Sequence, residues 1–482
     1  MEEGRSTPRN ILGLLPEEIA DLIQPLGARK YTASQVFGWV YAKGVRDFDS
    51  MHNLPKALRK SLAEKFAIEI PCPLKTVHSL EARVSRHVLG LSDEMRIECV
   101  LIGMRNKDTF CVSTQVGCRY RCAFCATGRM GLKRNLTAAE ILGQILYLKA
   151  LSLSPGVETG GETLEGSTAS KPGSPEASET PREDALEEDA LGEEFPGEEA
   201  PGEEAPWEEA PGEEDSGATP EKGEKGFNVV FMGMGEPLDN YANTVKSIRI
   251  MQRPEGLAVG GKRITVSTCG IPEKIKMLAK ENLGVGLALS LNATTDEQRA
   301  KLMPIARKLR LKELLDALQF FAEKSGRRVT LEYVLIAGVN DSPANARRLA
   351  AIASTVPCKI NLIELNVWPG TGTARGRAGK EAGGARGAST PGAVARGTRA
   401  GKPEGGARGA AIRATGARKV GAPPRLEKPS KESVQRFMEI LYPRAPAVML
   451  RKSKGEDILA ACGQLGAESA RRPSRPRQRR KR

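Results

Sequence analysis

The order of apolar and polar positions predicts a small helical region followed by alternating strands and helices. From about Glu94, the segments MRIECVLI and DTFCVSTQ are predicted to form adjacent strands, and Thr137 is predicted to begin a helix. Further strands are predicted at 227–233, 263–268, 284–291, 328–336 and 359–365, and further helices near 243–251, 272–280 and 310–324. This alternation favours an α/β fold with a parallel sheet and crossover helices, either open or closed into a barrel.

Residues 10–70 are predicted to form three helices by the helical spacing of their apolar residues. The first runs from Pro16 to Leu26, Thr32 is expected to cap the second, and Leu58, Leu62 and Phe66 mark the third. Exposed basic residues in this region suit either RNA contacts or an ordinary solvated surface: Arg29, Lys30, Lys43 and Arg46.

Two low-complexity segments interrupt the alternation, and a basic tail follows it. Residues 151–226 contain 23 acidic and 4 basic residues, with the near-repeat PGEEA, whereas residues 371–425 contain 12 basic and 2 acidic residues. Neither segment buries enough apolar surface to offset its conformational entropy, so both are predicted to be disordered insertions. The tail, residues 466–482, is rich in arginine.

Composition narrows the class of protein. The 482-residue chain has a formal net charge of +14, and its predicted ordered part is also basic, which suits a protein that contacts phosphate backbones as well as an ordinary basic surface. No apolar run approaches the length of a membrane span, and no secretory signal is visible. Nine cysteines in such a chain indicate a reducing compartment rather than a disulfide framework.

Three cysteines lie close together in the segment QVGCRYRCAFC. Cys118, Cys122 and Cys125 have C-x3-C-x2-C spacing, with Phe124 before the third cysteine. A cubane iron–sulfur cluster takes four ligands, so three local thiolates indicate a cluster with one open iron. Reductive cleavage of S-adenosylmethionine (SAM) requires such an iron. A zinc site completed by a distant cysteine and a chance group of core thiols are the alternatives.

Small and polar residues follow several predicted strands, where the active sites of parallel α/β folds lie. GMGEP contains Gly235 and Glu236, and Ser267, Ser290 and Asn366 end later strands. Each could equally be a helix cap or a turn residue. Two isolated cysteines, Cys111 after a strand and Cys462 in GEDILAACGQLG, could be core residues or nucleophiles.

Taken together, these motifs resemble the RlmN type of radical-SAM methyltransferases, which act on adenosine C2 in ribosomal and transfer RNA. The resemblance rests on CVSTQVGCRYRCAFC, KRNLTAAEILGQ, VVFMGMGEPLDN, RITVSTCG, LALSLNATTDEQR, RVTLEYVLIAGVND, PCKINLIELN and GEDILAACGQL. It covers nearly the whole chain apart from the insertions and the tail. It departs from the family pattern at Cys269, Asn292 and Ala306.

The resemblance implies a partial (β/α)6 barrel, formed by residues 71–150, 227–370 and 426–465, behind an N-terminal helical RNA-binding domain at residues 1–70. Cys118, Cys122 and Cys125 match the family's [4Fe-4S] ligands. The SAM-binding positions correspond to Gly235, Glu236, Ser267, Ser290, Leu291, Asn292 and Asn366. Cys462 matches the methylated cysteine, Cys111 its resolving partner, with a disulfide between them after turnover, and Glu98 an acidic residue proposed as a base.

The implied reaction uses two SAM molecules per turnover, one as methyl donor and one as radical source. The implied partners are large-subunit rRNA, tRNA methylated next to the anticodon, and a reductase for the cluster. A monomer in the cytoplasm, without membrane contact, is expected, with a plastid or mitochondrion as the alternative location. Methylation of adenosine C8 and a non-catalytic iron–sulfur or zinc RNA-binding protein are the alternative functions.

Overall fold

The computed structural model of the chain describes residues 8–104, 107–153, 226–369, 426–445 and 447–470. The expected insertions at 151–226 and 371–425 and the expected tail at 466–482 lie outside these residues, apart from 151–153, 226 and 466–470. The expectations about their disorder therefore stay predictions.

The N-terminal part consists of three helices and two very short strands. These are β1 (Arg9–Asn10), α1 (Pro16–Ile23), α2 (Lys30–Tyr41), α3 (Lys56–Lys65) and β2 (Phe66–Ala67). The Glu18 carboxylate stabilises the start of α1 by accepting a 2.7 Å hydrogen bond from the Leu15 backbone N–H. Helix α2 begins two residues before the expected cap, so Thr32 is buried inside the helix and the expectation for its start is wrong.

Four antiparallel strands follow, and a short hairpin surrounds the cysteine loop. The strands are β3 (Cys72–His78), β4 (Val84–Gly90), β5 (Arg96–Ile102) and β6 (Asp108–Cys111). Next come β7 (Gln115–Val116), α4 (Ala126–Met130), β8 (Arg134–Asn135) and α5 (Ala138–Leu153), of which β7 and β8 form the hairpin. Helix α5 begins with a capping box, because Thr137 and Glu140 exchange hydrogen bonds between side chain and backbone.

The rest of the described chain alternates between strands and helices. Its elements are β9 (Phe227–Phe231), α6 (Tyr241–Gln252), β10 (Ile264–Thr268), α7 (Pro272–Lys280), β11 (Gly286–Ser290), α8 (Asp296–Leu302), α9 (Leu311–Ser325), β12 (Val329–Leu335), α10 (Pro343–Ala353), β13 (Cys358–Glu364), α11 (Lys431–Leu441), β14 (Val448–Arg451) and α12 (Ala467–Ala470). Every helix and strand predicted in this part is present, with bounds shifted by a few residues.

A single ten-stranded sheet organises the molecule, in the order β14-β13-β12-β11-β10-β9-β6-β5-β4-β3. Neighbouring strands from β6 through β9 to β14 are parallel, whereas β3 to β6 are antiparallel to one another. The fold is therefore mixed α/β, with a parallel sheet whose carboxyl ends all lie at one edge. Polar residues that end these strands are brought together at that edge.

The structure differs from the sequence prediction at both ends of the sheet. The segment 71–102 was expected to belong to the barrel, but it forms an antiparallel extension of the sheet. The series of strands was expected to end at 359–365, but β14 adds one more parallel strand.

The N-terminal helices and the sheet share one continuous apolar core. Contact is close at Gly13, where a Cβ atom would lie 2.5 Å from the Ala139 backbone nitrogen. The Lys246 ammonium pairs with Glu18 across this junction at 2.8 Å. Among the described helices, none combines the length and apolar character that a membrane crossing requires.

Candidate active site

The three clustered cysteines lie on the loop between β7 and α4, at the carboxyl edge of the sheet. Cys118, Cys122 and Cys125 all line one cavity of about 990 Å³, which is partly open to solvent; we call it the first cavity. Burial raises the pKa of all three thiols, that of Cys118 to about 12. Hydrogen bonds from Gly128 and Thr127 oppose this effect at Cys125. The loop therefore suits thiolates that are neutralised by bound iron.

The GMGEP segment after β9 forms another wall of the first cavity. Gly235 has a φ of +104°, and a Cβ atom there would lie 2.6 Å from the Gln115 side chain, so only glycine fits without strain. The buried Glu236 carboxylate accepts hydrogen bonds from the backbone N–H groups of Cys269, at 2.7 Å, and Leu238, at 3.1 Å. Burial raises the pKa of Glu236, and these hydrogen bonds oppose that shift.

Most of the predicted cofactor positions line this cavity, but two do not. Ser267, Ser290 and Asn292 lie on its wall. Leu291 instead packs its side chain in the apolar core. Asn366 donates a 3.0 Å hydrogen bond from its amide nitrogen to the backbone carbonyl of Cys462.

Cys462 lies where the first cavity meets a second one of about 1260 Å³, and its side chain is accessible from both. The second cavity is lined on one side by Cys111 and on another by basic residues: Lys359, Arg451, Lys452 and Lys454. Residues 455–466, which we call the Cys462 loop, therefore bring the expected methyl-carrying thiol to the border between a cysteine-rich cavity and a basic one.

The two isolated cysteines are brought to the same cavity by different elements, Cys111 by the end of β6 and Cys462 by its loop. Burial raises the pKa of the Cys111 thiol to about 12, and the Cys462 sulfur adds to this effect, whereas Arg451 opposes it. All nine cysteines are free thiols in the structure, so the implied disulfide between Cys111 and Cys462 is not supported.

Glu98 lies near the Cys462 loop but is not part of the lining of either cavity. Its carboxylate pairs with the buried guanidinium of Arg86 at 3.2 Å and accepts a 3.1 Å hydrogen bond from the Gly466 backbone N–H. Arg86 also donates to the Ile458 carbonyl at 2.8 Å and pairs with Glu468 at 3.0 Å. In this structure, Glu98 helps to fix the Cys462 loop, and its expected role as a base stays a prediction.

Sequence reasoning missed three polar residues on neighbouring strands: Glu332, Asn361 and Arg451. Glu332 lines the first cavity, and Asn361 and Arg451 line the second. A glutamate in the otherwise apolar strand VTLEYVL was the signal present in the sequence, because charged side chains are rarely buried without a role or a partner.

The donor set suits an iron–sulfur cluster and SAM. In the described parts of the chain, no group of three or more His, Cys, Asp or Glu side chains is arranged as a site for a single metal ion. The three thiols line one cavity together with Gly235, Glu236 and Ser267, and three thiolates are the donors that a cluster with one open iron takes. One oxygen of Glu332, on the wall of this cavity, has no hydrogen-bond partner, which leaves an acceptor for a bound molecule.

Comparison with known proteins gives family matches in the N-terminal part and in the central part of the chain. Residues 9–68 match the model of the ribosomal RNA large subunit methyltransferase N-terminal domain, and residues 213–350 match that of the Radical SAM superfamily. A solved radical SAM methyltransferase from Sphaerobacter thermophilus aligns with a TM-score of 0.67 at 31% identity, over 95% of this chain and 100% of that one.

Curated relatives cover most of the chain. A protein of Dictyoglomus thermophilum is 39% identical over 75% of this chain and 84% of its own length. One of Symbiobacterium thermophilum is 33% identical over 94% of this chain and 90% of its own length. Both carry the description "Probable dual-specificity RNA methyltransferase RlmN".

Proposed function

We propose the following reaction for this chain, which belongs to the RlmN family of radical-SAM, dual-specificity RNA methyltransferases. The proposed reaction is methylation of adenosine C2 in large-subunit rRNA and in tRNA next to the anticodon. The observation that carries the proposal is the position of Cys462, whose thiol is accessible from both the cysteine-rich cavity and the basic one.

The first cavity is the proposed site of the cofactors. Cys118, Cys122 and Cys125 would hold a [4Fe-4S] cluster, and Gly235, Glu236, Ser267, Ser290 and Asn292 would surround SAM. Leu291 and Asn366 would act from beside the cavity. When bound, the cluster and two SAM molecules per turnover supply the methyl group and the radical that an unreactive sp2 carbon requires. A reductase would supply the electrons.

Two thiols of the chain would handle the one-carbon unit. Cys462 would accept the methyl group and present the carbon to the base, because it is accessible from both cavities. Cys111, which lines the second cavity, would act as the second thiol that frees the product, with Glu98 as a nearby base. Burial disfavours the thiolate of Cys111, whereas Arg451 favours it. This positive charge is therefore part of the proposed site.

The second cavity is the proposed site of the RNA. Lys452 and Lys454 would contact phosphates, while the base would enter towards Cys462. The N-terminal domain, residues 1–70, would add RNA contacts. In this proposal the parallel strands β6 and β9 to β14, with the helices between them, belong to a partial (β/α)6 barrel, whereas the antiparallel segment 71–102 lies beside it. The protein would work as a cytoplasmic monomer, with a plastid or mitochondrion as the alternative location.

Anaerobic turnover with rRNA and tRNA fragments tests the proposal. The modified nucleoside would be identified by mass spectrometry against C2-methyl and C8-methyl adenosine standards. We expect 2-methyladenosine, and Cys462→Ala should abolish it while the cluster's visible absorption is retained. A C8 product would assign the sister activity. Failure of the reduced protein to form 5′-deoxyadenosine from SAM would indicate a non-catalytic RNA-binding protein.

A further inference from the structure

Three neighbouring strands place a row of polar side chains near Cys462, at the end of the sheet where the two cavities lie. Glu332 on β12 lies opposite Ser290 on β11 and opposite Asn361 on β13. Arg451 on β14 lies opposite Ile363, two residues beyond Asn361 and therefore on the same face of the sheet. Since Glu332 and Cys462 line the first cavity, and Asn361, Arg451 and Cys462 the second, the row lies where the two cavities meet.

The Glu332 carboxylate is fixed on one side and free on the other. The Asn361 amide donates a 3.0 Å hydrogen bond to Oε1 of Glu332. Oε2 is buried and has no hydrogen-bond partner, and the residue is only 7% exposed. An unsatisfied buried acceptor typically costs about 1–3 kcal/mol, and more when it is charged. This oxygen of a residue on the cavity wall therefore keeps its capacity to accept a proton or a hydrogen bond.

The chemistry expected of Cys462 requires a proton acceptor. The nucleophile is the thiolate, yet desolvation among the residues that line the two cavities raises the pKa of the Cys462 thiol, and the Glu332 carboxylate raises it further. The Arg451 guanidinium lowers the pKa of Cys462, and the Cys462 thiolate is in turn the main cause of a raised pKa at Arg451. The thiol therefore needs a group that removes its proton and a cation that stabilises the resulting charge, and Glu332 and Arg451 are positioned for these roles.

We propose that Glu332 accepts the proton released when Cys462 is methylated, with Asn361 fixing the carboxylate and Arg451 stabilising the thiolate. In this step a bond forms between the Cys462 sulfur and the methyl carbon of SAM, and the bond from that carbon to the SAM sulfonium breaks. S-adenosylhomocysteine leaves, the proton moves to Oε2 of Glu332, and no electron is transferred to or from the protein. This inference rests on the proposed function, because it requires Cys462 to be the methyl carrier.

The test separates proton acceptance from cofactor binding. Anaerobically reconstituted protein, without RNA or reductant, is mixed with SAM labelled in its methyl group, and label on the Cys462 peptide is followed by mass spectrometry. Glu332→Gln should slow labelling about 100-fold, the lower end of the usual effect of a general base. Glu364→Gln is the matched control, since Glu364 lies on the neighbouring strand β13 and pairs at 3.0 Å with Lys428; it should label at the wild-type rate.

Alkylation of Cys462 by iodoacetamide gives a second readout that is independent of SAM. Iodoacetamide reacts with thiolate that has equilibrated with solvent, so loss of the negative charge of Glu332 in Glu332→Gln should make alkylation several-fold faster. Methyl transfer should become slower, because in the proposed step the proton passes to Glu332 itself. Arg451→Met should slow both reactions. A purely structural role of Glu332 would not shift the two rates in opposite directions. Glu332→Asp, which retains a carboxylate, should label faster than Glu332→Gln and covers the case in which the amide variant does not fold.

Each outcome has a defined meaning. If Glu332→Gln labels Cys462 at the wild-type rate, the inference is wrong and the proposed function stands. Weaker binding of SAM in equilibrium dialysis, with an unchanged labelling rate at saturation, would also overturn the inference and make Glu332 a cofactor-binding residue. If wild-type protein places no label on Cys462, the proposed function itself fails.

Discussion

Replacement of Arg86 by methionine tests whether the buried ion pair holds the Cys462 loop. The side chains of Arg86 and Glu98 are 2% and 3% exposed, and their charged atoms are 3.2 Å apart. Methionine has a similar length but leaves the Glu98 carboxylate buried without its cation. The change also removes the hydrogen bond from Arg86 to the Ile458 carbonyl, and with it one attachment of the Cys462 loop.

Breaking one partner of a buried ion pair typically costs about 3–5 kcal/mol in the free energy of unfolding. For a chain of this size, that loss corresponds to a fall in Tm on the order of 5 °C. Replacement of both partners, Arg86→Met with Glu98→Gln, should recover most of the loss, because a neutral amide needs no counter-charge. Its carbonyl oxygen can still accept the hydrogen bond from the Gly466 N–H.

The loss should depend on pH. Burial raises the pKa of Glu98 above its ordinary value, and Arg86 opposes this shift, so removal of Arg86 raises the pKa further. The folded variant then binds a proton that the unfolded chain has already released, and its stability falls as the pH rises above the ordinary carboxyl pKa. The destabilisation should therefore be smaller at about pH 5 than at about pH 7. In the double variant it should not change with pH.

Urea unfolding followed by circular dichroism at both pH values measures these effects. Arg249→Met is the matched control, because the side chain of Arg249 is 51% exposed in its ion pair with Glu281. It should cost no more than about 1 kcal/mol. The reasoning would be refuted if Arg86→Met were as stable as this control, or if its destabilisation were greater at the lower pH.

Three further predictions concern the cofactor and RNA sites. Cys122→Ser should lose the visible absorption of the reconstituted cluster, whereas Cys358→Ser, a change at a buried core thiol, should retain it; the reverse result would refute the ligand assignment. Gly235→Ala should cost about 1–3 kcal/mol in urea unfolding and weaken SAM binding, because its Cβ would lie 2.6 Å from Gln115. Gly27→Ala, also at positive φ but with no atom within 4 Å, should cost less. Replacement of Lys452 and Lys454 by alanine should make the slope of log K for RNA binding against log salt concentration less steep. The slope should change by about 0.7–0.9 for each phosphate that is no longer neutralised, with SAM binding unchanged. An unchanged slope would contradict the phosphate role.

The parallel part of the fold could be predicted from the sequence because its signals are local. Each strand from β9 to β13 is a short apolar run, and a helix with one apolar face follows it in the described chain. Polar residues at the strand ends then had to meet at one edge, so Ser267 and Ser290 could be assigned to one site from the sequence alone. The structure places both on the wall of the first cavity.

The prediction that MRIECVLI and DTFCVSTQ form adjacent strands is confirmed by the pairing of β5 with β6. Strands β3 and β4 were not predicted, because the pattern of β4 contradicts the usual signal. Strand β4 is buried along nearly its whole length, although it contains Ser85, Arg86 and His87. Arg86 is acceptable there because Glu98 on β5 neutralises it, and the two lie diagonally in the register, with Arg86 opposite Val100 and Val88 opposite Glu98. A pairing between strands that depends on register cannot be read from the spacing of one segment.

The position of Cys462 could not be predicted from the neighbouring sequence either, because its loop is fixed by contacts with segments that are distant in the chain. Asp457 accepts a hydrogen bond from the Ser79 hydroxyl, Arg86 donates to Ile458, Ala126 donates to Gly463 and Asn366 donates to Cys462 itself. Small residues in the loop permit a compact turn, in which Gly463 and Gly466 adopt positive φ values.

In the Cys462 loop, the backbone is held by hydrogen bonds that do not involve the sulfur of Cys462. The Cys462 carbonyl accepts a hydrogen bond from Asn366, while its sulfur remains accessible from both cavities. In the proposed reaction, a change of side-chain rotamer at Cys462 would carry the methyl group from the first cavity towards the second, since the residue lines both. Because such a rotation is much faster than the opening of a loop, fixed attachments of the backbone would not slow transfer, and they would keep the sulfur close to both partners.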